Sequence, residues 1–81
     1  MAGEVERVRE AIRALEGISD PGDRATAVTE LLREWPDLHR ELREVRQEAV
    51  RTLHEQGATY DEIGPQIGVT GYRASQISRG K

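Results

Sequence analysis

The chain predicts an all-α fold: an N-terminal helical hairpin, then a long third helix leading into two short helices at the C-terminal end, about five helices in all. Three observations carry this. Apolar residues recur at helical steps of three and four through most of the 81 residues. No period-two alternation of β-branched residues survives beyond about three positions, so no strand is expected. The aromatic residues are Trp35, Tyr60 and Tyr72 alone, which leaves Leu, Val, Ile and Ala to build the core.

The elements follow in order. Val5, Val8, Ile12 and Leu15 form a heptad-type seam on a first helix over residues 3–17, which Gly17 ends. Asp20 then caps a second helix with Pro21 at its first position, where the missing N–H costs nothing. Its apolar stripe is Ala25, Val28, Leu31, Leu32 and Trp35, and Trp35 is expected in the core. Pro36 disfavours helical geometry at Trp35 and predicts a break there. A third helix is expected from Pro36 or Asp37 to about Gln56, with the stripe Leu38, Leu42, Val45, Ala49, Val50 and Leu53 and with Gly57 as its stop. Arg40 and Glu44 lie at i,i+4 on it and are placed to pair.

Residues 59–81 carry the most specific pattern. Thr59 with Glu62 is a capping box, in which each residue satisfies a backbone donor of the other at a helix start. The helix so opened ends at Gly68, where the turn needs positive φ, and Gly64 sits where two helices must approach closely. Thr70 caps a further helix running to about Ser78 or Arg79. Ile63, Ile67, Val69, Ala74 and Ile77 fall on the inner faces, and Val50 and Leu53 are expected to pack against Ile63, Ile67 and Ile77. Pro65 inside the first short helix predicts a late start near Asp61 or a tightened 3₁₀ turn. The result is a helix-turn-helix braced by the third helix.

Here the pattern resembles a known family. Gly57-Ala58-Thr59, Glu62-Ile63-Gly64, Ile67-Gly68-Val69-Thr70 and Gln76-Ile77 are similar to the trihelical helix-turn-helix module of small actinobacterial DNA-binding regulators. Region four of bacterial sigma factors and the DNA-binding domain of resolvases look alike in the same way. The match covers residues 46–80, a little under half the chain. It implies residues 36–81 as a DNA-binding unit; residues 1–35 are read from their own apolar stripes as a separate hairpin. Pro65 and Gly71 depart from the family's pattern.

Site candidates follow from position. Tyr72 and Arg73 point outward from the first turn of the reading helix, where Arg suits a guanine edge and Tyr a phosphate or a stacked base. Gln76, one turn on, suits an adenine edge. Arg79 and Lys81 trail the helix as phosphate clamps. Thr70 has two compatible roles, helix cap and phosphate donor. Thr59 and Tyr60 are placed to reach phosphate from the start of the preceding helix. Gly71 either lets the backbone approach DNA closely or is a tolerated weakness.

Composition bounds the rest. The formal charge is −3, but it is segregated: residues 1–39 hold nine acids and five Arg, whereas residues 63–81 hold no acid and three cations, Arg73, Arg79 and Lys81. With no Cys, disulfides and thiolate metal sites are excluded. His39 and His54, 15 residues apart, read as solvated helix-surface groups. There is no nucleophile–base pair, no metal-ligand cluster and no phosphate-cradling Gly loop, so an enzyme and a bound cofactor are not expected. No apolar run exceeds about three residues, which speaks against a signal peptide or a membrane span and for a cytoplasmic, nucleoid-associated protein. The expected partners are double-stranded DNA and a second copy of the chain, with residues 1–35 as the dimerisation element; the alternative is that this hairpin folds back on the third helix and completes a five-helix monomer. The competing reading is a protein-interaction module whose acidic first half docks on RNA polymerase, a sigma factor or another regulator.

Overall fold

The computed structural model describes residues 3–81, and within them the chain is helical with no strand. Four helices succeed one another: α1 (Glu4–Glu16), α2 (Pro21–Glu55), α3 (Tyr60–Ile67) and α4 (Gly71–Ser78). No helix among the described residues is long and apolar enough to cross a membrane. The chain divides into two units, Met1–Pro36 and Asp37–Lys81.

The count is four and not five because the predicted break at Trp35–Pro36 is absent: α2 runs through Pro36 for 35 residues. The two prolines differ in what precedes them. Asp20 accepts a hydrogen bond from the Asp23 N–H at 2.8 Å and starts α2 ahead of Pro21. Trp35 has no side-chain oxygen with which to cap a new helix, so the chain gains nothing by restarting at Pro36. Continuing forfeits only the hydrogen bond to the Leu32 carbonyl and crowds one turn. On the same helix Arg40 pairs with Asp37 at 3.2 Å, not with Glu44.

In the first unit, α1 and the start of α2 flank an open apolar groove lined by Ile12, Leu15, Val28, Leu31 and Trp35. The Arg24 guanidinium donates to the Ile18 carbonyl at 3.2 Å and ties the connecting turn to α2. None of the groove residues is fully buried, and Trp35, expected in the core, is 40 % exposed. Val5 and Val8 on α1 are more exposed still.

The second unit has a small, closed core of Val50, Ile63, Ala74 and Ile77, flanked by Leu53, Ala58, Tyr60 and Val69. Burial of each of the three larger side chains contributes about 1.5–3 kcal/mol. Ile67 is the exception to the predicted inner face. It lies on the correct side of α3 but in the last turn, beside Gly68, and stays 40 % exposed. The late start predicted from Pro65 is also absent. Thr59 caps α3 so strongly that the helix opens at Tyr60 and passes through Pro65 in α geometry. Pro65 then costs one hydrogen bond, the one its N–H would have made to the Asp61 carbonyl.

Backbone proximity fixes the α3–α4 turn. Gly68 ends α3 at φ 79°, in the left-handed region that glycine alone adopts without a Cβ penalty. The Val69 N–H donates to the Gly64 carbonyl at 2.8 Å. A Cβ on Gly64 would stand 2.6 Å from the Val69 carbonyl oxygen, so α3 and the entry to α4 meet backbone to backbone.

Candidate nucleic-acid interface

The start of α4 is set by local chemistry. The Thr70 hydroxyl accepts from the Arg73 N–H at 3.0 Å, which satisfies one of the helix's orphan donors. That cap aims the next three residues. Tyr72 stands out into solvent, 72 % exposed. Gly71 faces back toward α3, where any Cβ would collide with the Asp61 carboxylate and come within 3.0 Å of the Asp61 Cα. The close approach of α3 therefore favours a small residue at 71 from inside the protein.

Arg73, Gln76 and Lys81 are brought together. The Arg73 guanidinium donates to the Lys81 carbonyl at 3.0 Å and to Gln76 Oε1 at 3.4 Å. Arg73 and Gln76 are consequently half-buried, each engaged by the other, while Arg79 and Lys81 are exposed. Any ligand of Arg73 must exchange with these internal acceptors.

Thr59 and Tyr60 are engaged by the fold. The Thr59 hydroxyl accepts from the Glu62 N–H at 3.2 Å and donates to the Glu62 carboxylate at 3.0 Å, and the Thr59 N–H donates to the same carboxylate at 3.0 Å. The backbone donor, then the hydroxyl, hold the Glu62 carboxyl below its usual range. Tyr60 stacks on His54 with ring centroids 4.2 Å apart and planes 11° from parallel. His54 is thus more than a solvated surface group: its Nδ1 donates to the Ala58 carbonyl at 2.9 Å.

Ser78 joins the elements, and sequence reading gave it no such role. Its hydroxyl donates to the Ser75 carbonyl at 2.7 Å, so in the 3.1 Å contact with the Tyr60 hydroxyl it is the acceptor. Its carbonyl accepts from Gln47 Nε2 at 3.2 Å and Arg51 Nε at 3.0 Å. Two α2 side chains therefore satisfy an orphan carbonyl at the C-terminus of α4, with a cation at the negative end of the helix dipole.

A second cationic feature was also missed. Arg40, Arg43, Arg46 and Lys81, with Glu44 as the only acid, line a concavity of about 350 Å³ beside Gly80 and Ile77. The available signal was register: Arg43 precedes Val50 by seven residues, two helical turns, and so shares the face that carries α4. With Arg73 and Arg79 this end of the unit concentrates positive charge in a chain whose formal charge is −3. The chain matches no family model, no curated protein and no solved structure.

Proposed function

We propose that the chain binds double-stranded DNA in a sequence-dependent manner, as a small transcriptional regulator whose α3 and α4 act as a helix-turn-helix braced by the end of α2. In this reading residues 70–79 enter the major groove. The observation that carries it is the acid-free α4 that presents Tyr72 to solvent and gathers Arg73, Gln76 and Lys81 beside it. Arg73 reads a base edge after giving up the Lys81 carbonyl, Gln76 reads the neighbouring pair, and Tyr72 and Thr70 hold the backbone. Arg79 and Lys81 contact phosphate, as do Arg40 and Arg43 from the concavity. The four phosphate-directed cations of one copy, Arg79, Lys81, Arg40 and Arg43, give a salt slope of about −3.6, too shallow for tight binding at physiological salt. A homodimer doubles it and reads two half-sites about one helical turn apart.

The experiment is DNA retention as a function of salt. Arg73→Ala is expected to weaken binding roughly 5- to 150-fold, the effect of about 1–3 kcal/mol at one base contact, and to relax sequence preference. Arg79→Ala is expected to reduce affinity evenly across sequences and to lower the slope by about 0.9 per copy. A second reading draws on the open groove of the first unit and the excess of acids over residues 1–39. There the acidic half docks on RNA polymerase, a sigma factor or another regulator, and no affinity for duplex at low salt is expected.

A further inference from the structure

Among the described residues of the second unit, the face of α2 opposite α3 and α4 meets no other element. Leu38, Leu42, Val45, Ala49 and Thr52 follow one another at steps of four, three, four and three. In sequence the same spacing is already under way at Val28, Leu31 and Trp35. Within the second unit, Gln47, Val50, Arg51, Leu53 and His54 are α2 residues that meet the α3–α4 segment. At 100° per residue the centre of the Leu38–Thr52 seam lies on the order of 150° from the centre of that group. Leu42 is 60 % exposed and Val45 67 % exposed.

We propose that this seam pairs with the same segment of a second copy of the chain, parallel and in register, as a short two-stranded coiled coil. The pairing rests on the proposed function only in that DNA reading calls for two copies; it needs no DNA to form. Charge selects the partner and its direction. With Leu42 and Ala49 at a and Leu38, Val45 and Thr52 at d, the flanking g positions are Glu41 and Glu48, and the e positions are His39, Arg46 and Leu53. An antiparallel pair sets g against g, which places glutamates of the two copies face to face. A parallel pair sets g against the following e of the other helix, so that Glu41 of each copy meets Arg46 of the other. Arg46 is available for this because it lies at the seam-side edge of the basic concavity. The pairing leaves α3 and α4 of each copy outside the seam and, because the helices run parallel, at the same end of the pair.

The full chain, without DNA, tests this directly. It contains no cysteine, so a single introduced thiol reports on its own surroundings. Under mild oxidation at tens of micromolar, Ala49→Cys is expected to give a covalent dimer, whereas Glu44→Cys, at a c position outside the a and d core of the pair, is not. By sedimentation, Arg46→Glu is expected to weaken association by roughly tenfold, since two flanking ion pairs become repulsions. The double change Glu41→Arg with Arg46→Glu restores it, and circular dichroism of each variant separates lost pairing from lost folding. A single species near 9.1 kDa overturns the proposal. So do cross-linking at position 44 in place of 49, and a dimer indifferent to Arg46→Glu, which places the interface elsewhere, such as at Val5 and Val8 of α1. DNA affinity, measured separately, bears on the reading helix and not on this pairing.

Discussion

Gly64→Ala sets two effects of opposite sign against each other. In a helix Ala is favoured over Gly by about 1 kcal/mol, so propensity alone makes the variant more stable. Packing opposes this. The new Cβ would lie 2.6 Å from the Val69 carbonyl oxygen, 2.8 Å from the Thr70 carbonyl carbon and 2.9 Å from the Gly71 nitrogen. All three are backbone atoms, and none swings aside as the end of a long side chain does. Ordinary contact begins near 3.4 Å, so the Val69 carbonyl has to retreat by about 0.8 Å (3.4 less 2.6). That movement opens the packing of Ile63 against Ala74, both fully buried. Overpacking of a closed core costs about 1–3 kcal/mol, and three backbone contacts place this site at the upper end. The net is a loss of about 2 kcal/mol. For a domain of this size each kcal/mol moves Tm by about 4–8 °C, so the midpoint is expected to fall by about 8–16 °C. Thermal melts of the two proteins by far-ultraviolet circular dichroism check it. A midpoint that stays put or rises means that propensity wins and that α3 and α4 do not touch through Gly64.

Three more predictions concern the caps and the Ser78 junction. Thr70→Ala is expected to destabilise the second unit by about 1 kcal/mol and Thr70→Ser to leave it nearly unchanged, as read by urea denaturation. The Glu62 carboxyl is held below its usual range, so its contribution is complete above the ordinary carboxylate value and disappears as pH falls through its lowered folded value. The stability difference between the parent and Glu62→Ala therefore narrows in acid; a difference that widens there contradicts the capping box. Tyr60→Phe and Ser78→Ala each remove the 3.1 Å hydroxyl contact and are expected to cost about 0.5–1.5 kcal/mol. Their effects should be less than additive in the double variant, and strict additivity would show that the two hydroxyls act separately.

What was legible in the sequence is the chemistry of chain ends and turns. Thr59 with Glu62, Gly68 and Thr70 fix the bounds of α3 and α4 because each acts on backbone groups no more than a few residues away. What was not legible depends on residues far apart in sequence. The preference for a small residue at 71 comes from Asp61, ten residues earlier, across the turn. Ser78 looks like an ordinary polar helix residue until Gln47 and Arg51 are seen to converge on its carbonyl. Pro36 misled for a different reason. A proline marks a helix boundary only where a cap stands ready to start the next helix, and Glu34-Trp35 supplies none. Ile67 shows that facing the core is not enough when the helix ends before its neighbours reach it. The cations of the concavity were hidden because i,i+4 spacing pairs Arg40 with Glu44 on one helix and does not show that Lys81 lies beside Arg40 and Arg43.

Whether α4 reads bases in a duplex, as proposed, is decided by selection from a random-sequence library of duplexes by the purified chain. An enriched motif with two related half-sites about one helical turn apart is expected, and that enrichment is lost with Arg73→Ala. Recovery of duplexes with no shared sequence, or no retention at about 50 mM salt where phosphate contacts are strongest, would contradict it.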